Sequence, residues 1–107
     1  MAEITAIRPG VDGAELELVA AAASDTFKIA SHRALVIENG SGSPITATFV
    51  VPGNTALGEA NPDNVITVPA GETWIVPTNE LYRDPSTRLG AVNWSATTDV
   101  TRRILQL

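Results

Sequence analysis

The sequence has no cysteine and a single histidine, His32. Without thiols there is neither a disulfide framework nor a thiolate metal site, and one imidazole alone does not anchor an ordinary zinc centre. Long apolar runs are also missing. The longest, "LVAAAA" from Leu18 to Ala23, is far shorter than the roughly 20 residues that cross a bilayer as a helix. The opening "MAEITAIRPG" has no basic start followed by an apolar run, so it does not read as a signal peptide. The expectation is a protein made and folded in a cytoplasm. Positive charge is thin. Seven Lys and Arg stand against twelve Asp and Glu, a formal charge of −5, which disfavours nucleic acid and anionic membrane surfaces as partners.

What charge there is falls unevenly. Residues 1–80 carry ten acids against Arg8, Lys28 and Arg33, while residues 81–107 carry four arginines against Asp84 and Asp99. Such a division suits docking on a charged protein surface or on copies of the same chain. The 107 residues are enough for one domain, in which about two-thirds of the unfolded chain's surface is buried.

The apolar residues recur mainly with a period of two, the mark of strands. In "ITATFVV" (Ile45–Val51), Ile45, Ala47, Phe49 and Val51 share one face, and Thr46 and Thr48 the other. "RALVIEN" (Arg33–Asn39) has four apolar residues in succession, as a strand covered on both faces would. "NGSGSP" reads as a hairpin connection from that strand to "ITATFVV". "NVITV" and "ETWIV" flank "PAG", where Pro69 and Gly71 supply turn geometry, so these two strands are expected to pair antiparallel. "AVNWSAT" sets Val92, Trp94 and Ala96 against Asn93, Ser95 and Thr97.

The closing "VTRRILQL" leaves two phases open. Arg102 shares a face with Val100 and Ile104, and Arg103 with Leu105 and Leu107. "AELELVAAAASD" (Ala14–Asp25) reads as a strand running into an Ala-rich loop. "NELY" can form one helical turn in a long connection. The sum is an all-β protein, an antiparallel sandwich or small barrel of six to eight short strands. Residues 1–12 form an arm or first strand, and residues 13–107 the single domain.

Reactive constellations are not apparent. No nucleophile stands in a pattern that His32 could serve, no Gly-rich loop opens a helix to cradle phosphate, and no carboxylate pair suggests acid–base work. Glu59, Asn61, Asp63 and Asn64 offer oxygen ligands, but their spacing is not that of a calcium loop and reads as turn chemistry. Asn39-Gly40-Ser41 and Asn93-Trp94-Ser95 match the glycosylation triplet without the export context it needs. Trp74 and Trp94 lie in alternating strands and are expected in the core, with a sugar platform the alternative. No enzyme activity, cofactor or metal is expected.

The succession "ALVIENGSGSPITATFVVPG", "NVITVPAGETWIVP", "ELYRDP" and "AVNWSATTDVTRRILQL" resembles a family of small all-β proteins from tailed phages of actinobacteria. Their genes commonly sit among the head genes, and some members are regarded as capsid decoration proteins. The likeness runs over about residues 26–107 and rests on Ile37–Thr46, Ile66–Gly71, Trp94–Thr98 and Leu105–Leu107. Trp94 replaces a frequent Tyr, and Arg102 and Arg103 stand in a final strand that is usually apolar or small. The resemblance implies a protein on the outer surface of a virion head. There it would bind the lattice of the major capsid protein, as a trimer or other small oligomer.

On that view contact residues are expected in an arm (Ile4, Ile7, Arg8), in two loops (Leu57 and Glu59; Tyr82, Arg83 and Arg88), and at Arg102 and Arg103. The alternatives are a head–tail joining, tail or fibre component, and a carbohydrate-binding sandwich module.

Overall fold

In a computed structural model that describes residues 2–107, ten strands form two facing sheets. Seven of them are five residues or longer: β4 (Ser24–Lys28), β5 (Arg33–Asn39), β6 (Ile45–Phe49), β7 (Asn64–Val68), β8 (Thr73–Pro77), β9 (Leu89–Trp94) and β10 (Val100–Gln106). Three two-residue strands, β1 (Ala2–Glu3), β2 (Ala6–Ile7) and β3 (Val19–Ala20), complete the edges. One sheet has the order β1-β4-β9-β6-β7 and the other β2-β10-β5-β8, with β3 also paired to β10 beside β2. All pairs are antiparallel except β1 with β4 and β2 with β10. The expected all-β sandwich is therefore present, with mixed sheets because the N-terminal strands add in parallel.

Alternation places the core. Ile45, Ala47 and Phe49 of β6 are buried while Thr46 and Thr48 between them are partly open. Phe27 and Phe49 meet edge-on with ring centres 6.2 Å apart. Gly90 sits opposite Phe27 because a side chain has no room there: a Cβ would lie 2.5 Å from the Phe27 ring. Val36 points to the outer face of β5 yet is only 2% exposed. Arg103 and Ile75 stand directly across from it on either side, so β5 is covered on both faces as its apolar run implies.

The two expected hairpins are not hairpins. β5 pairs with β8, and β6 pairs with β7. "NGSGSP" and "PAG" therefore each carry the chain from one sheet to the other. The turn residues do reverse the chain, and Gly71 takes a φ of 75°, but reversal does not dictate which sheet receives the next strand. Asn39 decides it. Its side chain is wholly buried. Nδ2 donates to the carbonyls of Ser43 (2.8 Å) and Val68 (3.0 Å), and Oδ1 accepts from the Ser41 amide and hydroxyl. The Asn39 backbone accepts from Gly71 N–H and donates to the Glu72 carbonyl. One amide thus fastens both crossings. It is also inaccessible to a glycosyl transferase.

The N-terminal segment is the sandwich's own first strand, which overturns the expectation that Ile4 contacts a partner. β1 lies on β4, β2 lies on β10, and Ile4 between them drops into the core at 4% exposure, its amide bonded to the Thr26 carbonyl. The segment so closes one flank of both sheets. The strand expected within Ala14–Asp25 is limited to Val19–Ala20, and Glu15–Leu18 run without regular pairing.

The final strand resolves its own ambiguity. Val100, Arg102 and Ile104 face inward. Arg102 forms a bidentate pair with Asp25 at 2.8 and 3.0 Å, and Trp94 Nε1 donates to the same carboxylate at 2.8 Å. Asp25 and Trp94 belong to one sheet and Arg102 to the other, so the cluster ties the sheets through the core. A buried Arg paired this way is not free to meet a partner, which corrects that expectation for Arg102. Arg103 faces outward into the gap between β2 and β3, donating to the carbonyls of Thr5 and Glu17, both at 3.1 Å. It pins the loop that follows the N-terminal strands.

Candidate functional site

The two loops expected to make contacts, residues 53–64 and 78–89, meet at one end of the sandwich, where the connections between strands run over 50–63 and 78–88. The first, residues 50–63, is not slack. Asp63 Oδ1 accepts from the Val51 amide at 3.0 Å, and Asn61 Nδ2 donates to the Pro52 carbonyl at 3.1 Å. A bridge between Asn54 and Ala60 narrows the loop above them. Gly53 and Gly58 take φ values of 90° and 87°, which residues with a Cβ seldom adopt. Leu57 stands at the tip, 93% exposed, with exposed Glu59 beside it.

The second loop, residues 78–88, begins with a 3-10 turn over Glu80–Tyr82, the helical turn expected from "NELY". Asn79 caps it through Oδ1, which accepts from the Leu81 amide at 2.9 Å. Tyr82 is turned into the core, not outward to a partner as expected. It is 7% exposed, stacks on Phe49 at 5.2 Å, and its hydroxyl accepts from Asn64 Nδ2 at 2.8 Å. Tyr82 is therefore the bolt that fixes this loop to the end of β7. Arg83, half-buried, donates to the Ile29 carbonyl at 2.8 Å and to Glu80 at 3.2 Å. Asp84 Oδ1 accepts from the Ser86 amide, and Arg88 ends the turn exposed with a φ of 63°.

Between the loops lies an open cleft of about 530 Å³. Val51 and residues 61–64 wall one side, and Asn79, Leu81 and Tyr82 the other. Leu81 is 66% exposed at its rim. The lining is amide-rich and carries one carboxylate, Asp63, one of whose oxygens is committed to the Val51 amide. Among the described residues, no three His, Cys, Asp or Glu gather in a way that could hold a metal ion. Such a surface recognises shape and hydrogen-bonding groups through a firm framework with apolar projections.

The remaining candidates lie elsewhere. Ile7 is half-buried and Arg8 exposed on the opposite, closed flank. His32 sits in the β4–β5 turn with a φ of 60°, its carbonyl accepting from the Leu107 amide. Trp94 is buried as expected, but Trp74 is 39% exposed. It faces inward opposite Ile37, yet β8 is the last strand of its sheet, and no strand among the described residues covers its outer side. Sequence reasoning missed Asn39 and Asp25. No pattern in the chain marks a lone polar residue as buried, although the inward phase of Asp25, two residues before Phe27, is consistent with it. Comparison with known protein families, curated proteins and solved structures yields no match.

Proposed function

We propose that this chain is a structural protein of a phage virion that decorates the outer surface of the head and stabilises it. It docks on the lattice of the major capsid protein as a trimer or other small oligomer, and it performs no chemistry on a substrate. One observation carries the reading. Two loops with the same end of the sandwich as their base are each braced by internal hydrogen bonds, and they present Leu57, Leu81 and Arg88 on a framework that does not need to rearrange. Preformed surfaces of this kind lose little conformational entropy on docking. Repetition over a lattice multiplies a modest single contact. The sequence resemblance supplies the shell as the partner.

The test is to mix purified protein with empty unexpanded and expanded capsids and to image the particles. Saturable, evenly distributed density on expanded heads is expected. Density confined to one ring would identify a joining component, and bare particles would reject the reading. A second reading, a carbohydrate-binding module, draws on the amide-lined cleft. It predicts retention on host cell-wall polysaccharide that is lost on Asn79→Ala.

A further inference from the structure

Strand β8 is an edge with its bonding groups free. Thr78 N–H bonds to the Arg33 carbonyl, and Asn39 N–H bonds to the Glu72 carbonyl. Bonded pairs alternate in an antiparallel ladder, so residues 74 and 76 turn their backbone toward β5 and residues 73, 75 and 77 turn theirs away. No strand lies on that side among the described residues. Thr73 and Ile75 therefore offer N–H and C=O groups outward, and Pro77, which has no N–H, offers its carbonyl alone. Two large side chains flank this row on opposite faces: Ile75, 64% exposed, and Trp74, 39% exposed. An added strand would cover both.

Charge says what kind of strand. From Ala34 to Tyr82 the chain has Glu38, Glu59, Asp63, Glu72 and Glu80 and no Lys, Arg or His. Glu38 is directly opposite Thr73 on the outer face. Glu72 immediately precedes β8 and accepts from Trp74 Nε1 at 2.9 Å. Arg33, beside Thr78 at the end of this edge, turns its side chain to Gln106 and the Lys28 carbonyl, away from β8. Arg103, level with Ile75 two strands in, donates to the Thr5 and Glu17 carbonyls. A second copy's β8 would bring its own Glu38 and Glu72 and no base from residues 34–82 to offset them.

We infer that β8 is a docking edge for an extended segment of another protein, one that alternates apolar residues with lysine or arginine and extends the β2-β10-β5-β8 sheet by one strand. Backbone bonds to Thr73 and Ile75 hold the segment, its apolar residues cover Trp74 on the inner face, and its bases lie on the outer face toward Glu38. The inference stands independently of the shell-docking reading.

The probe is a blocked nine-residue peptide of alternating valine and lysine, titrated against the full chain while tryptophan emission is followed. A saturable blue shift is expected, because Trp74 leaves water. The shift should vanish in Trp74→Phe. Affinity should fall at least tenfold for the same peptide with glutamate in place of lysine, and at least tenfold for Ile75→Lys, a change at a site 64% exposed, with its unchanged urea midpoint checked alongside. A lysine peptide N-methylated on alternate residues, which cannot pair along one edge, should not bind. The inference is overturned if no shift occurs, if the three peptides bind alike, if the shift persists in Trp74→Phe, or if sedimentation shows the protein pairing with itself through β8 without peptide.

Discussion

The two flanks of the sandwich are built to opposite ends. On one flank the N-terminal segment lies across both sheets, Ile4 plugs the seam, Arg103 clasps the backbone at Thr5 and Glu17, and the Asp25–Arg102–Trp94 cluster ties the sheets just inside. On the other flank β7 and β8 end their sheets, with no further strand beyond them among the described residues. That side has short strands, with prolines at or beside their ends, and acids as its only charges, features that restrain indiscriminate edge pairing. The contrast teaches that stability and availability are separated in space. The closed flank uses its groups to hold the two sheets together, and the open flank and the loop end leave Trp74, Ile75, Leu57 and Leu81 exposed.

Breaking the closed flank should have the largest effect. Asp25→Ala leaves the Arg102 guanidinium buried without its partner, a loss of about 3–5 kcal/mol. Against the roughly 5–15 kcal/mol of an ordinary domain, urea denaturation should show a much lower midpoint or no folded baseline. Ile4→Ala removes a core side chain near the surface, where neighbours can partly close the gap. A loss of about 2–3 kcal/mol is expected in the same measurement. Asn39→Ala strands the Ser43 and Val68 carbonyls at the crossings between the sheets, costing about 1–3 kcal/mol, and hydrogen exchange should quicken first at residues 40–44 and 69–72. At the loop tip the contrast sharpens. Leu57→Ser should shift the denaturation midpoint by an amount equivalent to less than about 0.5 kcal/mol, while capsid binding, measured by co-sedimentation, weakens. If Leu57→Ser instead destabilised the protein as much as Ile4→Ala does, the division between the flanks would fail.

The same contrast explains what could be read from the sequence. Period-two patterns gave the faces of β6 and β9 because every inward position in them is apolar. They left β10 undecided because an arginine at an inward position looks like a surface residue until its carboxylate partner, 77 positions away, is known. The turn residues of "NGSGSP" and "PAG" announced reversals, but a hairpin and a crossing between sheets use the same glycines and prolines. What separates them is the buried amide of Asn39, a long-range fact. Alternation gives the direction of Trp74 but not its depth, since it reports facing and not whether a strand has a neighbour. Both loops of the candidate site were visible as polar interruptions. That they share one end, and that Tyr82 serves as their anchor and not as a contact, depended on how the strands are ordered.

Amide hydrogen exchange on the free protein and on the protein mixed with expanded capsids tests the central claim most directly. The account predicts that exchange slows on the particles at residues 53–64 and 78–89, with residues 2–7 equally protected in both states. Protection gained by residues 2–7 while the loops stay unchanged, or no difference at all between the two samples, would contradict it.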